Sequence, residues 1–378
     1  MKSNYNQLGQ YIEMVSRTNS DLKYGIEDVR GCSNTKQMMQ TRANLIGRTY
    51  EKFIVLRPQE FVFNRRTTRN GEKIGMAYNN TDREYIFTND YVAFRVKQEY
   101  LDKLLPDYLY MFFCRDEFDR YARYKSTGSA TEFFNWEDMC AVPFEIPPMD
   151  FQQLVVNAYK VLNERIETKQ KINDNLEATA QAYFDNLFFS CDDTDCTLAD
   201  IALVNPSRPL SKGVEARCFD MSTLPTSGCI PTGDTTKPYN GGVRFINGDT
   251  LIARITPCLE NGKAAYINIL NEGEVAFGST EYIVFASKDD IPSCFYYFLI
   301  RNSKFVTFAL QFMNGSSGRQ RVSGEELASF PLMIPSKEKL AAFNKVGKLV
   351  LEQMKEATEE IQFLKQLQET ITATLSSN

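Results

Sequence analysis

The chain has 378 residues, 43% of them hydrophobic and 24% charged, with a formal net charge of −5. These are globular values that exclude a disordered chain, and the length gives room for two domains of ordinary size. No apolar run nears the ~18 residues of a membrane span, and the absence of histidine removes Ser-His-Asp and Cys-His catalysis, the His-Glu-x-x-His zinc helix and most catalytic metal sites.

Met1-Lys2-Ser3-Asn4-Tyr5 leads into no signal-peptide core. Leu8-Gly9-Gln10-Tyr11-Ile12 then opens a mixed region of short strands and helices. Its landmarks are Phe61-Val62-Phe63-Asn64-Arg65-Arg66, the Asn70-Gly71 turn, Phe87-Thr88-Asn89-Asp90-Tyr91-Val92-Ala93-Phe94 and Tyr108-Leu109-Tyr110-Met111-Phe112. It closes on Gly128-Ser129, Phe134-Asn135-Trp136-Glu137-Asp138-Met139 and Val142-Pro143-Phe144-Glu145-Ile146-Pro147. Residues 150–187 follow, with Val155, Tyr159, Leu162, Ile166, Ile172, Leu176, Ala180, Tyr183 and Leu187 at steps mostly of three and four. That spacing predicts one long helix, with Asp150 and Gln153 resembling a capping box.

The same order then returns. Leu198-Ala199-Asp200-Ile201-Ala202 repeats the opening at a shift of 190 residues, and Gly278-Ser279-Thr280-Glu281-Tyr282-Ile283-Val284-Phe285 repeats the 87–94 string at 191. Pro331 and Pro335 repeat Pro143 and Pro147 at 188. Between them, Val243-Arg244-Phe245-Ile246 and Thr250-Leu251-Ile252-Ala253-Arg254-Ile255 flank Asn247-Gly248-Asp249, which reads as strand, turn, strand. Residues 295–312 read as one helix with a buried aromatic face. A second long helix follows, capped by Ser336, with Leu340, Phe343, Val346, Val350, Ala357, Ile361, Leu364, Ile371 and Leu375 as its stripe. Spans this long without internal proline point to a paired helical spacer, about 57 Å for 38 residues at 1.5 Å each.

The expected fold is therefore α+β: two similar domains of mixed strands and helices, joined by two long antiparallel coiled-coil helices in a pseudo-two-fold body. The segments are 1–148, 149–189, 190–335 and 336–378. Such a body can offer two similar surfaces to a two-fold partner such as duplex DNA.

Catalytic motifs are missing. No Gly-x-Gly-x-x-Gly follows a strand and no Walker lysine loop occurs. Asn205-Pro206-Ser207-Arg208-Pro209 does not fit an amino-methyltransferase motif, and Asp150 with Glu167-Thr168-Lys169 imitates a nuclease pattern only loosely, on a predicted helix. Nine scattered cysteines, an odd count without zinc spacing, fit reduced thiols in the cytoplasm.

Basic residues cluster instead. In the first half these are Arg65, Arg66, Arg69 and Lys73 around Asn70-Gly71, with Lys125 further on; in the second, Arg244, Arg254 and Lys263. The sharpest candidate is Gly315-Ser316-Ser317-Gly318-Arg319-Gln320-Arg321. Glycines let backbone N–H groups approach phosphate, Ser316 and Ser317 add donors, and Arg319, Gln320 and Arg321 can pair with phosphates or base edges.

Together, Asn247-Gly248-Asp249-Thr250-Leu251-Ile252-Ala253-Arg254, Glu260-Asn261-Gly262-Lys263, the 315–321 string and the helices after each Ile-Pro resemble the specificity subunit of type I restriction–modification enzymes. The resemblance implies a non-catalytic, sequence-specific DNA-recognition subunit. Each domain would read one half-site of a bipartite target. Two modification subunits would bind the helices, with Leu162, Ile166, Leu176, Val350, Ile361 and Leu364 as candidate interface residues. Restriction and translocase subunits would complete the complex, and S-adenosylmethionine, ATP and Mg would sit on these partners. The alternatives are a stand-alone DNA-modifying enzyme of unfamiliar motif and a two-armed protein-interaction scaffold.

Overall fold

Phe61-Val62-Phe63 and Leu251-Ile252-Ala253 are short apolar runs bounded by turn residues, and each forms a fully buried inner strand. Around them the chain forms two compact units, residues 1–164 with 365–378, and residues 165–364. The computed structural model describes residues 6–41, 45, 47–66, 73–128, 132–190, 193–316 and 318–374.

The first unit contains β1 (Ile12–Val15), β2 (Arg30–Cys32), β3 (Met38–Gln40), β4 (Ile54–Leu56), β5 (Phe61–Asn64), β6 (Met76–Tyr78), β7 (Tyr85–Phe87) and β8 (Tyr91–Val96). Helices α1 (Pro106–Phe113), α2 (Asp116–Lys125) and α3 (Trp136–Cys140) follow, then the long α4 (Met149–Phe188), whose first part belongs to this unit. The main sheet has the order β1-β8-β5-β6, all antiparallel, with Val62 opposite Ala93 and Phe61 opposite Tyr78. Phe61, Phe94, Phe113, Phe118 and Phe134 stack behind it as one aromatic core.

The second unit contains β9 (Cys196–Thr197), α5 (Leu198–Ile201), β10 (Ala202–Val204), β11 (Glu215–Phe219), β12 (Thr235–Pro238), β13 (Val243–Phe245), β14 (Thr250–Ala253), β15 (Ala264–Tyr266), β16 (Ala276–Gly278) and β17 (Tyr282–Ser287). Helices α6 (Cys294–Arg301), α7 (Ser303–Gln311) and α8 (Gly324–Ala328), strand β18 (Pro331–Leu332), the later part of α4 and the long α9 (Lys337–Thr374) as far as Leu364 complete it, the end of α9 belonging to the first unit. Its main sheet, β10-β17-β14-β15, has the same order and directions as that of the first unit. Tyr91 faces Asn64 as Tyr282 faces Ala253, which aligns Phe61–Asn64 with Thr250–Ala253.

The Asn247-Gly248-Asp249 turn does not make a hairpin. It carries the chain from β13, in the sheet β12-β11-β16-β13, to β14 in the other sheet. Asn247 bonds both backbone groups of Leu270, Gly248 has φ +91°, and Asp249 accepts from Ile246 N–H at 2.9 Å. The motif thus fixes a sheet-to-sheet corner.

Two local expectations fail. Residues 295–312 form two helices, because Asn302 is extended (ψ 136°) and its side chain accepts from Lys304 and Phe305 N–H, capping α7. Asp150 lies inside the first turn of α4, and Gln153 donates to Asn157 rather than closing a capping box. Ser336 does cap α9, accepting from Lys339 N–H at 3.3 Å.

The long helices run antiparallel where they meet within a unit. In the second unit Lys169 pairs with Glu360, Asn173 donates to Thr358 at 3.3 Å, and Lys339 donates to Leu187 O. In the first, Asn163 accepts from Gln368, and Ile371 packs on the core containing Val155 and Val156. Apolar residues fill the seam, as in coiled coils. Ile166, Val350, Ile361 and Leu364 are buried inside the chain, while Leu162 and Leu176 are half-buried. The buried four are spent on intrachain packing, which corrects their reading as a partner interface, while Leu162 and Leu176 keep part of their surface open. Among the described residues, the exposed large apolar side chains of these helices are Leu154, Val161 and Leu367 in the first unit, and Ile172, Val346, Leu349 and Phe363 in the second.

Candidate nucleic-acid interface

Both units finish the inner strand of the main sheet in the same way. Phe134 N–H donates to Arg65 O at 2.9 Å in the first unit, and Val322 N–H donates to Arg254 O at 3.0 Å in the second. One residue on, isolated bridges join Arg66 to Phe133 and Ile255 to Arg321. The loops that supply Phe133 and Arg321 are closed by reciprocal backbone bonds, Thr127 with Phe133 and Asn314 with Arg321. Capping boxes at Asn135 and Ser323 then start α3 and α8. The sequence repeat is therefore a repeat of backbone hydrogen bonds. It also gives Arg65 and Arg254 equivalent places.

In the second unit the loop 314–321 turns on Gly315 (φ +128°) and Gly318 (φ +81°), conformations costly for any other residue. Ser316 O accepts from Arg319 N–H, and both residues are exposed. Gln320 is half-buried and fastened through its backbone N–H to Thr256 Oγ1 at 3.0 Å. The Arg321 guanidinium grips Glu281, with Nε 3.0 and 2.9 Å from its two oxygens and Nη2 at 2.7 Å. Arg254 Nε lies 3.9 Å from the same carboxylate, is buried, and has no hydrogen-bond partner among the described residues. The hydrogen bonds from Arg321 hold the Glu281 carboxyl below its ordinary range, and Arg254 adds to this. Arg254 and Arg321 thus converge on one carboxylate, while Arg319, exposed on the same loop, lacks any ion-pair partner among the described residues.

The first unit repeats the arrangement with a thinner set. Arg65 and Arg66 are exposed, and Arg66 Nη2 lies 3.6 Å from Asp90 Oδ1. Lys125 ends α2, beside the loop, with Tyr121 and Tyr124 rings 5.9 and 5.8 Å from its ammonium. Lys73 is elsewhere: it pairs with Asp116 at the opposite end of α2 and lines a cleft of about 590 Å³ with Lys36 and Tyr110. Arg69 and Ser317 lie outside the described residues.

Two more candidates are not gathered into the loop cluster. Lys263 spends its ammonium on Met221 O in a partly buried position. Arg244, half-buried on β13, lies over the Tyr239 ring at 5.8 Å. Conversely, sequence reasoning did not single out Asp90 and Glu281. The available signal was the acid–tyrosine pair at the same place in both copies.

Among the described residues no cluster of acidic or cysteine side chains could hold a metal ion, and no helix is long and apolar enough to cross a membrane.

Comparison with known proteins agrees with this duplicated layout. The family described as type I restriction modification DNA specificity domain matches residues 33–178 and again 232–373. The type I restriction enzyme EcoEI specificity subunit of Escherichia coli is 28% identical over 200 residues, 48% of this chain, and the EcoAI specificity subunit of the same organism is 30% identical over 143 residues, 36% of this chain. The aligned stretches span 32% and 24% of those relatives' own lengths. The crystal structure of the type I restriction–modification S subunit from M. genitalium shares the fold, with a TM-score of 0.53, 13% identity, and coverage of 98% of this chain and 96% of that one. The chain belongs to the type I restriction modification DNA specificity domain family.

Proposed function

We propose that this chain is the sequence-reading, non-catalytic subunit of a type I restriction–modification complex in the cytoplasm. Residues 1–148 and 190–335 each read one half-site of a bipartite duplex target, and 149–189 and 336–378 set the gap between them. The observation that carries this reading is the twice-built loop cluster, with an excess of arginine over carboxylate in each copy. Exposed arginines beside glycine turns suit phosphate and base-edge contacts. Two modification subunits would dock on exposed helix residues, among them Leu154 and Val161 in one unit and Ile172, Leu349 and Phe363 in the other. A restriction subunit would add translocation and cleavage. S-adenosylmethionine, ATP and Mg would belong to those partners.

The test uses the full chain purified with its modification subunits. Labelled duplex should be retained and footprinted over two separated half-sites. Arg319→Ala and Arg321→Ala should weaken retention without unfolding the chain, a base-reading arginine costing roughly 1–3 kcal/mol at one position. Absence of any footprint would mean a protein scaffold. Methyl transfer by the chain alone would mean a stand-alone enzyme.

A further inference from the structure

The isolated bridge beyond the inner strand holds one arginine and one apolar residue in each unit, on opposite arms. In the first unit the arginine is on the strand arm (Arg66) and the apolar residue on the loop arm (Phe133). In the second the strand arm carries Ile255 and the loop arm Arg321. In both, the neighbouring acid is the residue just before the tyrosine that opens the sheet's central strand, Asp90 or Glu281. The ion pair is thus kept while its cationic partner changes arms.

We propose that Asp90 and Glu281 are positioning residues that aim Arg66 and Arg321 at a guanine in their respective half-sites, and that the exchange of arms makes the two half-sites differ. The proposal rests on the DNA-reading function above. A carboxylate taking the Nε–Nη2 side of a guanidinium holds its plane and leaves part of its five-donor fork for another acceptor. Arg321 meets that condition: Glu281 takes Nε and Nη2, while 40% of the arginine side chain stays exposed. A guanine presents O6 and N7 as paired acceptors in the major groove, the geometry such a fork fits. Without its anchor the side chain samples many rotamers, and contact with the base costs the entropy of choosing one. Arginines on opposite arms approach the groove from different strands of the bridge, so they read different positions of their half-sites.

The experiment selects from a random duplex library with the full chain and its modification subunits, at one fixed salt concentration because affinity depends on salt. With the parent chain, a bipartite motif is required; its absence would overturn the DNA-reading function itself. Given the motif, Glu281→Gln should reduce discrimination at one guanine of one half-site roughly tenfold, leaving the other half-site intact. Asp90→Asn should do the same in the other half-site, and Glu281→Asp should retain most of the discrimination. Thermal unfolding is measured alongside. Asp90 and Arg66 are both more than half exposed, so Asp90→Asn reads out even if Glu281→Gln does not fold. An unchanged motif, or equal weakening at every position, would overturn the positioning role while leaving the DNA-reading function standing.

Discussion

Arg208 donates to Asp249 at 2.7 Å, with 3% of the Asp249 side chain exposed. Glu60 occupies the place equivalent to Asp249 in the first unit and is joined to Arg17 by paired bonds of 3.1 Å. Each carboxylate also takes a backbone N–H three residues before it, Ile246 and Arg57 respectively. The repeat has thus kept a nearly buried ion pair, although Glu and Asp differ by one methylene. Removing one partner of such a pair strands the other. Glu60→Ala should cost about 3 kcal/mol, slightly moderated by the 25% exposure of Arg17. Trp136, the single tryptophan, packs in the first unit against Phe94, so its fluorescence in a urea titration reports the loss.

A second pair is more deeply enclosed. Lys36 bonds Asp119 and Ile74 O, and the two side chains are 4% and 6% exposed. Asp119→Ala should destabilise the first unit by about 3–5 kcal/mol, because it leaves an ammonium without a counter-charge. The double change Lys36→Met with Asp119→Leu should recover most of that loss. Equal midpoints for the single and double variants would show that the charge pair is not the cause.

The Glu281–Arg321 pair has a pH signature. Glu281 titrates below its ordinary 4.5 in the folded chain, chiefly through its hydrogen bonds from Arg321. A depressed folded value means stability fully present above the unfolded pKa and lost as pH falls through the folded one. Between pH 6 and pH 3 the parent should therefore lose more stability than Glu281→Gln, with the difference opening below about 4.5. Parallel losses in urea titrations at the two pH values would show that the pair adds nothing to stability.

The spacer can be lengthened in step. Arg165 and Lys169 both reach Glu360, which fixes the facing stretches of α4 and α9. Four residues inserted between 164 and 175, with four more beside Glu360, add about 6 Å at 1.5 Å per residue. The winding of about 400° at 3.6 residues per turn keeps the apolar stripe nearly in phase. The two half-sites should stay the same while the gap grows by roughly two base pairs, at ~3.4 Å each. Mapping methylated sites across a genome reads this directly, and an unchanged gap with full activity would remove the helices from the spacing mechanism.

Much of this molecule is a property of local order along the chain. The 188–191-residue repeat, the two long apolar stripes, the Ser336 cap and the glycine loop 315–318 depend on residues a few positions apart, so their pattern reads directly from sequence. Tertiary structure decided the rest. The stripe of Ile166, Val350, Ile361 and Leu364 looks the same whether it meets its own chain or a partner, and only the antiparallel pairing of α4 with α9 buried it within the chain. Lys263 and Arg319 are both basic residues near glycine. Yet one is tied to a backbone carbonyl 42 positions away, while the other has no ion-pair partner among the described residues. Arg321 meets Glu281 across 40 residues, and that meeting depends on the register of β14 against β17 and on the bridge from Ile255. Charge type is written in the sequence; which charges stay open to a partner depends on long-range register, which local patterns do not encode.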